Sequence, residues 1–161
     1  LGSTWTVIKA PGALERWARR ISQRLLLVVL VAIAAISAWV PFLDNRIAER
    51  WFSLPNFYFL SQVPLLTVVA GFLHYRATHR GSHVAPFLLT LVLFTLGYAG
   101  LAISLWPNIV PHELPYWEAA ADPSSQMFLL IGTLITLPAV LLYFGYAYYV
   151  FRGKVSRELP Y

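Results

Sequence analysis

Four stretches of this 161-residue chain contain no Asp, Glu, Lys or Arg. They are Leu25–Leu43 (LLLVVLVAIAAISAWVPFL), Phe57–Tyr75 (FYFLSQVPLLTVVAGFLHY), Val84–Trp106 (VAPFLLTLVLFTLGYAGLAISLW) and Met127–Phe151 (MFLLIGTLITLPAVLLYFGYAYYVF). Each is close to the roughly 20 apolar residues that a helix needs to cross hydrocarbon. A single charge at mid-bilayer costs about 2.5–3.5 kcal/mol on insertion scales, so four clean runs predict four membrane spans. Lipid offers no partner to a backbone N–H or C=O, so the spans must be helices. The expected fold class is therefore all-α: a polytopic membrane protein with four transmembrane helices in a bundle.

Composition agrees. Charged residues make up 12% of the chain and hydrophobic ones 58%, against about 25% charged in soluble domains. That excludes an ordinary soluble globule, a disordered chain and, despite a net charge of +5, a nucleic-acid-binding module. The basic residues are better matched to lipid headgroups. With no cysteine there is no disulfide, thiolate metal site or cysteine nucleophile. The first span is not a secretory signal, because its apolar run exceeds the roughly 7–15 residues of such a core and three spans follow. The opening Leu1-Gly2, without an initiator Met, suggests a piece of a longer protein.

Charge sets the expected orientation. Lys9, Arg16, Arg19, Arg20, Arg24, Arg76, Arg80, Arg152, Lys154 and Arg157 fall on one side, against Arg46 and Arg50 on the other. Both ends of the chain are therefore expected in the cytoplasm. Asp44, Glu49, Glu113, Glu118 and Asp122 sort to the outer side. Before the first span, Leu14, Trp17, Ala18, Ile21 and Leu25 recur at helical spacing. Glu15 and Arg19 form an i,i+4 pair. Ala13 to Arg24 reads as an interfacial amphipathic helix whose basic face anchors on headgroups. The expected organisation is 1–24 for the end of a preceding span plus this segment, 25–151 for the bundle, and 152–161 for a cytoplasmic tail.

Helices packed in lipid approach through small residues. Candidate pairs are Ala34/Ala38, Thr67/Gly71, Gly100/Ser104 and Gly132/Thr136. Pro64 and Pro138 should kink the second and fourth spans. Aromatics gather at span ends: Tyr143, Phe144, Tyr146, Tyr148, Tyr149 and Phe151 at one, Trp106, Tyr116 and Trp117 at the other. An interfacial belt explains them; a quinone or haem edge could pack there equally well by composition.

The chain shows no evident active centre. A bis-histidine haem needs ligands on facing helices at similar depth. His74 ends the second span, His79 and His83 lie in the basic loop RATHRGSH, and His112 is on the outer side. His79 and His83 could share a metal if helical, but Gly81 intervenes, and solvated interfacial imidazoles are the expected state. Gln62 is the most polar point within a span, suited to bonding a neighbouring helix. There is no catalytic triad order, phosphate loop or carboxylate pair. Asp122 can cap the fourth span with Pro123 at its first helical position, followed by Ser124 and Ser125. Its charge also suits the helix dipole.

Three segments carry a family resemblance: the opening LGSTWTVIKAPGALERWARR, the loop PNIVPHELPYWEAAADPSSQ and the ending YAYYVFRGKV. Through them the chain resembles the C-terminal half of subunit II of cytochrome bd-type quinol oxidases, in the cyanide-insensitive variety. Where that family more often has Trp-Asp, this chain has Trp117-Glu118, one methylene longer. The resemblance implies a complex in the bacterial inner membrane that couples quinol oxidation to reduction of O2 to water and builds a proton-motive force. It implies haems b and d and the quinol site in subunit I, with subunit II a related partner of two four-helix bundles that ligates no haem. Leu1 to Trp5 would end a preceding span, and acidic proton-path residues would lie in the other half. No catalytic or metal-binding residue carries over. Trp117, Glu118, Asp122, Ser124, Ser125 and Gln126 are structural candidates only, and a quinone remains a possible ligand. Membrane lipid and subunit I are the implied partners. Two other classes fit the spans: one repeat of a secondary transporter and a self-contained membrane cytochrome b.

Overall fold

The structure, a computed structural model, describes residues 1–43, 49, 51–54, 56–110 and 114–154. The expectations for Asp44, Arg46, Arg50, His112, Glu113 and Arg157 lie outside the described residues. The elements given by the described residues are, in order, α1 (Gly2–Lys9), α2 (Ala13–Leu43), α3 (Asn56–Leu60), α4 (Gln62–His79), α5 (Ala85–Leu105), β1 (Asn108–Val110), β2 (Leu114–Pro115), α6 (Tyr116–Ala119) and α7 (Pro123–Val150). Four helical stretches, Ala13–Trp39, Asn56–His79, Ala85–Leu105 and Pro123–Val150, are long and apolar enough to cross a membrane. The protein is an all-α polytopic membrane protein.

Two compact units make up the chain: one built on Leu1–Ser104 and carrying Lys154, the other Leu105–Gly153. In the first, α1 packs on α2, burying Thr4, Val7 and Ala10. Trp5 of α1 meets Phe87 of α5 at 5.2 Å between ring centroids. At 31 residues, α2 is about 46 Å long by its rise, well beyond the roughly 30 Å of hydrocarbon. Its surplus is the charged segment Ala13–Arg24, one continuous helix with the span. Ala18 and Ser22 of that segment are buried, whereas Leu14 and Trp17 are exposed. The apolar stripe is thus divided: Ala18 packs within the chain, while Leu14, Trp17 and Leu25 stay exposed.

The second span breaks where proline chemistry requires. Pro64 has no N–H to offer the Leu60 carbonyl, and the helix is interrupted at Ser61, between α3 and α4. The bonds from Ser61 N to Phe57 O (3.0 Å) and from Leu65 N to Ser61 O (3.2 Å) bridge the interruption. The interruption lies one turn before the proline, which itself sits in the first turn of α4. Pro138 stays inside an unbroken α7.

The small-residue pairs behave unequally. Thr67 and Gly71 are buried on α4, and a Cβ added at Gly71 would lie 2.9 Å from Leu30 Cδ1 of α2. Ser104 Oγ donates to Gly100 O at 2.8 Å and accepts from Trp51 Nε1 at 3.2 Å. Ala34 and Ala38 are exposed, and a Cβ at Gly132 would meet nothing within 4 Å. Replacing Gly by Ala within a helix gains about 1 kcal/mol of propensity. Gly132→Ala is therefore expected to raise thermal stability. Gly71→Ala is expected to gain nothing, because the end of Leu30 must move. Melting temperatures of the two variants check this.

In the second unit, β1 and β2 pair antiparallel, with Asn108 opposite Pro115 and Val110 opposite Leu114. The segment between α5 and α7 thus carries a short antiparallel ladder, not only a capped turn. Helix α7 buries none of its residues within the chain. Lipid or protein partners can solvate such a surface without cost, because hydrocarbon is as apolar as Leu.

Candidate functional site

The densest polar cluster lies at the basic end of the first unit and centres on Glu15. The local sequence supplies half of it: Arg19, one turn on, donates Nε and Nη2 to Glu15 Oε1 at 3.1 and 2.8 Å. The other half comes from afar. His83 Nε2 lies 3.0 Å from the same oxygen, and Lys154 Nζ donates to Glu15 Oε2 at 2.6 Å. The Arg19 fork also donates to the carbonyls of Ser82 (2.7 Å) and Gly81 (2.8 Å).

Those two carbonyls are presented by the end of α4. Gly81 has φ +77°, a left-handed conformation that glycine adopts without a Cβ penalty. Its N–H donates to Thr78 O, and Ser82 N–H donates to Ala77 O. This pair of bonds is the Schellman helix stop. The Arg19 and Glu15 side chains are each 16% exposed, so the pairing is shielded more than a surface ion pair. The hydrogen bond from Lys154, then those from Arg19, hold the Glu15 carboxyl down to about 2, from an ordinary 4.5, against the opposing effect of burial. Arg19 is therefore tied to protein, where the sequence suggested a headgroup anchor.

The sequence-selected residues between α5 and α7 and in the first turn of α7 sit in the second unit. Asp122 caps α7: Oδ1 accepts from Ser124 N at 3.0 Å and from Ser124 Oγ at 2.7 Å. Those two bonds, the side-chain one first, lower its pKa. Gln126 Nε2 donates to Ala121 O at 2.6 Å. Ser125 is exposed in the first turn. Trp117 and Glu118 belong to the four-residue α6. Tyr116 stacks on Trp106 at 4.9 Å and meets Trp117 edge-on at 5.1 Å. The structure thus joins Asp122, Ser124 and Gln126 into a cap and Trp117 to an aromatic corner. Asp122→Ala is expected to fray the first turn of α7 while Asp122→Asn keeps it, since only Asn retains the acceptor. Hydrogen exchange at the Ser124, Ser125 and Gln126 amides checks this.

His74 is buried, 2% exposed, on the face of α4 that also buries Thr67, Ala70, Gly71 and Thr78. Its Nδ1, like Ser22 Oγ, is buried without a hydrogen-bond partner among the described residues. His79 packs on Tyr75 at 4.3 Å, and His83 turns to Glu15. His79 and His83 do not share a helical turn, because α4 stops between them. All three described histidines come from α4 and the turn after it, so they do not offer haem a pair of ligands from facing helices. No group of three His, Asp or Glu gathers among the described residues.

Sequence reasoning found the Glu15–Arg19 pair but missed His83 and Lys154. The available signal was charge imbalance. On the basic side of the chain, Glu15 is the one carboxylate apart from Glu158, so several cations compete for it.

No curated protein matches the chain at a significant level. The family model for cytochrome bd terminal oxidase subunit II matches it over residues 1–151. That covers every helix described above and the β1–β2 ladder, and the chain belongs to the cytochrome bd terminal oxidase subunit II family.

Proposed function

We propose that this chain is the part of subunit II that holds the haem-bearing subunit I of a quinol oxidase in place. The complex oxidises quinol, reduces O2 to water and builds a proton-motive force. The observation that carries the reading is the family match across residues 1–151. Two features of the chain support the scaffolding role. Its spans carry no charged residue for proton or ion transfer, and α7 presents its whole apolar length outward. Haems b and d and the quinol site belong to subunit I in this reading. The chain's own residues supply packing surface and capped helix ends, and none acts as a catalytic residue. Trp117, Glu118, Asp122, Ser124, Ser125 and Gln126 then shape the segment between α5 and α7 and the first turn of α7. The span boundaries near 25–43, 57–75, 84–106 and 127–151, and the 152–161 tail, are part of the same proposal.

Distribution of Lys and Arg supports both termini of the chain facing the cytoplasm of a bacterial inner membrane. The experiment is deletion. Membranes lacking this chain but expressing subunit I should lose the complex's haem absorbance bands and quinol-driven O2 uptake. Unchanged bands and uptake would overturn the reading.

A further inference from the structure

The outward face of α4 carries a feature that neither the Glu15 cluster nor oxidase assembly uses. Phe72, Tyr75, Arg76, His79 and Arg80 line an open groove of about 340 Å³. They recur at i, i+3, i+4, i+7 and i+8, a single face of the helix, and all are exposed. Gly71, which meets Leu30 of α2, and the buried His74 are on a different side of α4. We propose that this groove binds the headgroup phosphate of an anionic phospholipid.

Charge complementarity carries the assignment. Like charges at i,i+4 repel by a few tenths of a kcal/mol, and no described carboxylate pairs with Arg76 or Arg80. Glu15 is the one carboxylate on α1, α2, α4 and α5, and both its oxygens are engaged by Arg19, His83 and Lys154. Two adjacent guanidiniums without an acid match phosphate, whose oxygens accept the planar fork.

Depth selects lipid over free phosphate. Arg76 is the first charge after the uncharged run Phe57–Tyr75, which sets it at headgroup level. Arg80 is one turn further out, by about 6 Å. Phe72 is one turn further in, against the glycerol and first methylenes that inorganic phosphate lacks. Tyr75 suits the interfacial layer between them, and its contact with the His79 ring at 4.3 Å holds that imidazole at the groove. Basic pockets at this level are a recurrent form of anionic-lipid recognition.

The test uses the detergent-solubilised complex containing this chain, stripped of lipid and titrated with phosphatidylglycerol, phosphatidylcholine or inorganic phosphate, with bound lipid counted by native mass spectrometry. Arg76→Gln/Arg80→Gln should weaken phosphatidylglycerol binding by about tenfold or more. Arg152→Gln, which removes a charge elsewhere, should leave it unchanged. Arg76→Lys/Arg80→Lys should give an intermediate loss. Equal binding by wild type and the glutamine variant, equal binding of phosphatidylcholine, or full displacement by millimolar phosphate would each overturn the proposal. So would a glutamine variant whose complex dissociates whether or not lipid is added.

Discussion

Glu15→Leu is expected to lower the stability of the first unit by about 2 kcal/mol, between the 0–1 of an exposed pair and the 3–5 of a fully buried one. The substitution removes the acceptor shared by Arg19, His83 and Lys154. Arg19 keeps its bonds to Gly81 and Ser82, which limits the loss. Lys154→Ala should cost less, because the Lys154 side chain is 40% exposed and water replaces much of what it loses. The pH dependence has a definite sign. The folded-state pKa of Glu15 is depressed from 4.5 to about 2, so its stabilisation is complete above about pH 5 and fades as pH falls through 4.5 toward 2. Thermal melts of the wild type should fall over that acid window. Melts of Glu15→Leu should be lower at neutral pH and should fall less there. Parallel curves for the two proteins would show that the carboxylate contributes nothing.

The second large effect is expected at Gly81. Its φ of +77° costs a residue with a Cβ about 1–2 kcal/mol, and more for a β-branched one. Gly81→Val should lose about 2 kcal/mol and also displace the carbonyls that Arg19 grips, whereas Gly81→Asn, tolerant of this conformation, should lose well under half of that. Double-mutant cycles between Gly81→Val and Glu15→Leu should show coupling, since both act on the Arg19 fork. Additive losses would mean that helix stop and ion cluster are independent.

These two sites also mark where the sequence was hard to read. The spans were legible because charge in hydrocarbon is so costly that its absence over four long runs has no ordinary alternative. The α7 cap was legible because Asp122, Pro123 and Ser124 make a purely local pattern. The Glu15 cluster was only half legible. Arg19 is four residues away, but the Gly81 and Ser82 carbonyls are 62 and 63 residues distant and Lys154 is 139. Nothing local announces such partners. His83 reads as a solvated imidazole for the same reason, since its partner Glu15 lies far back in the chain. Of the small-residue pairs, Thr67/Gly71 meets a neighbouring helix closely, while Ala34/Ala38 is exposed, because such spacing arises freely in apolar sequence.

Membership of the oxidase subunit family, together with four helices long and apolar enough to cross a membrane, leads to one decisive measurement. The complex should be isolated from detergent-solubilised membranes through an affinity tag on this chain, and its visible spectrum and quinol-dependent O2 uptake recorded. The account predicts a haem-bearing partner in the eluate, with haem absorbance and O2 uptake that both follow that partner. Recovery of the chain without a haem-bearing partner, or of haem bound to this chain alone, would contradict it.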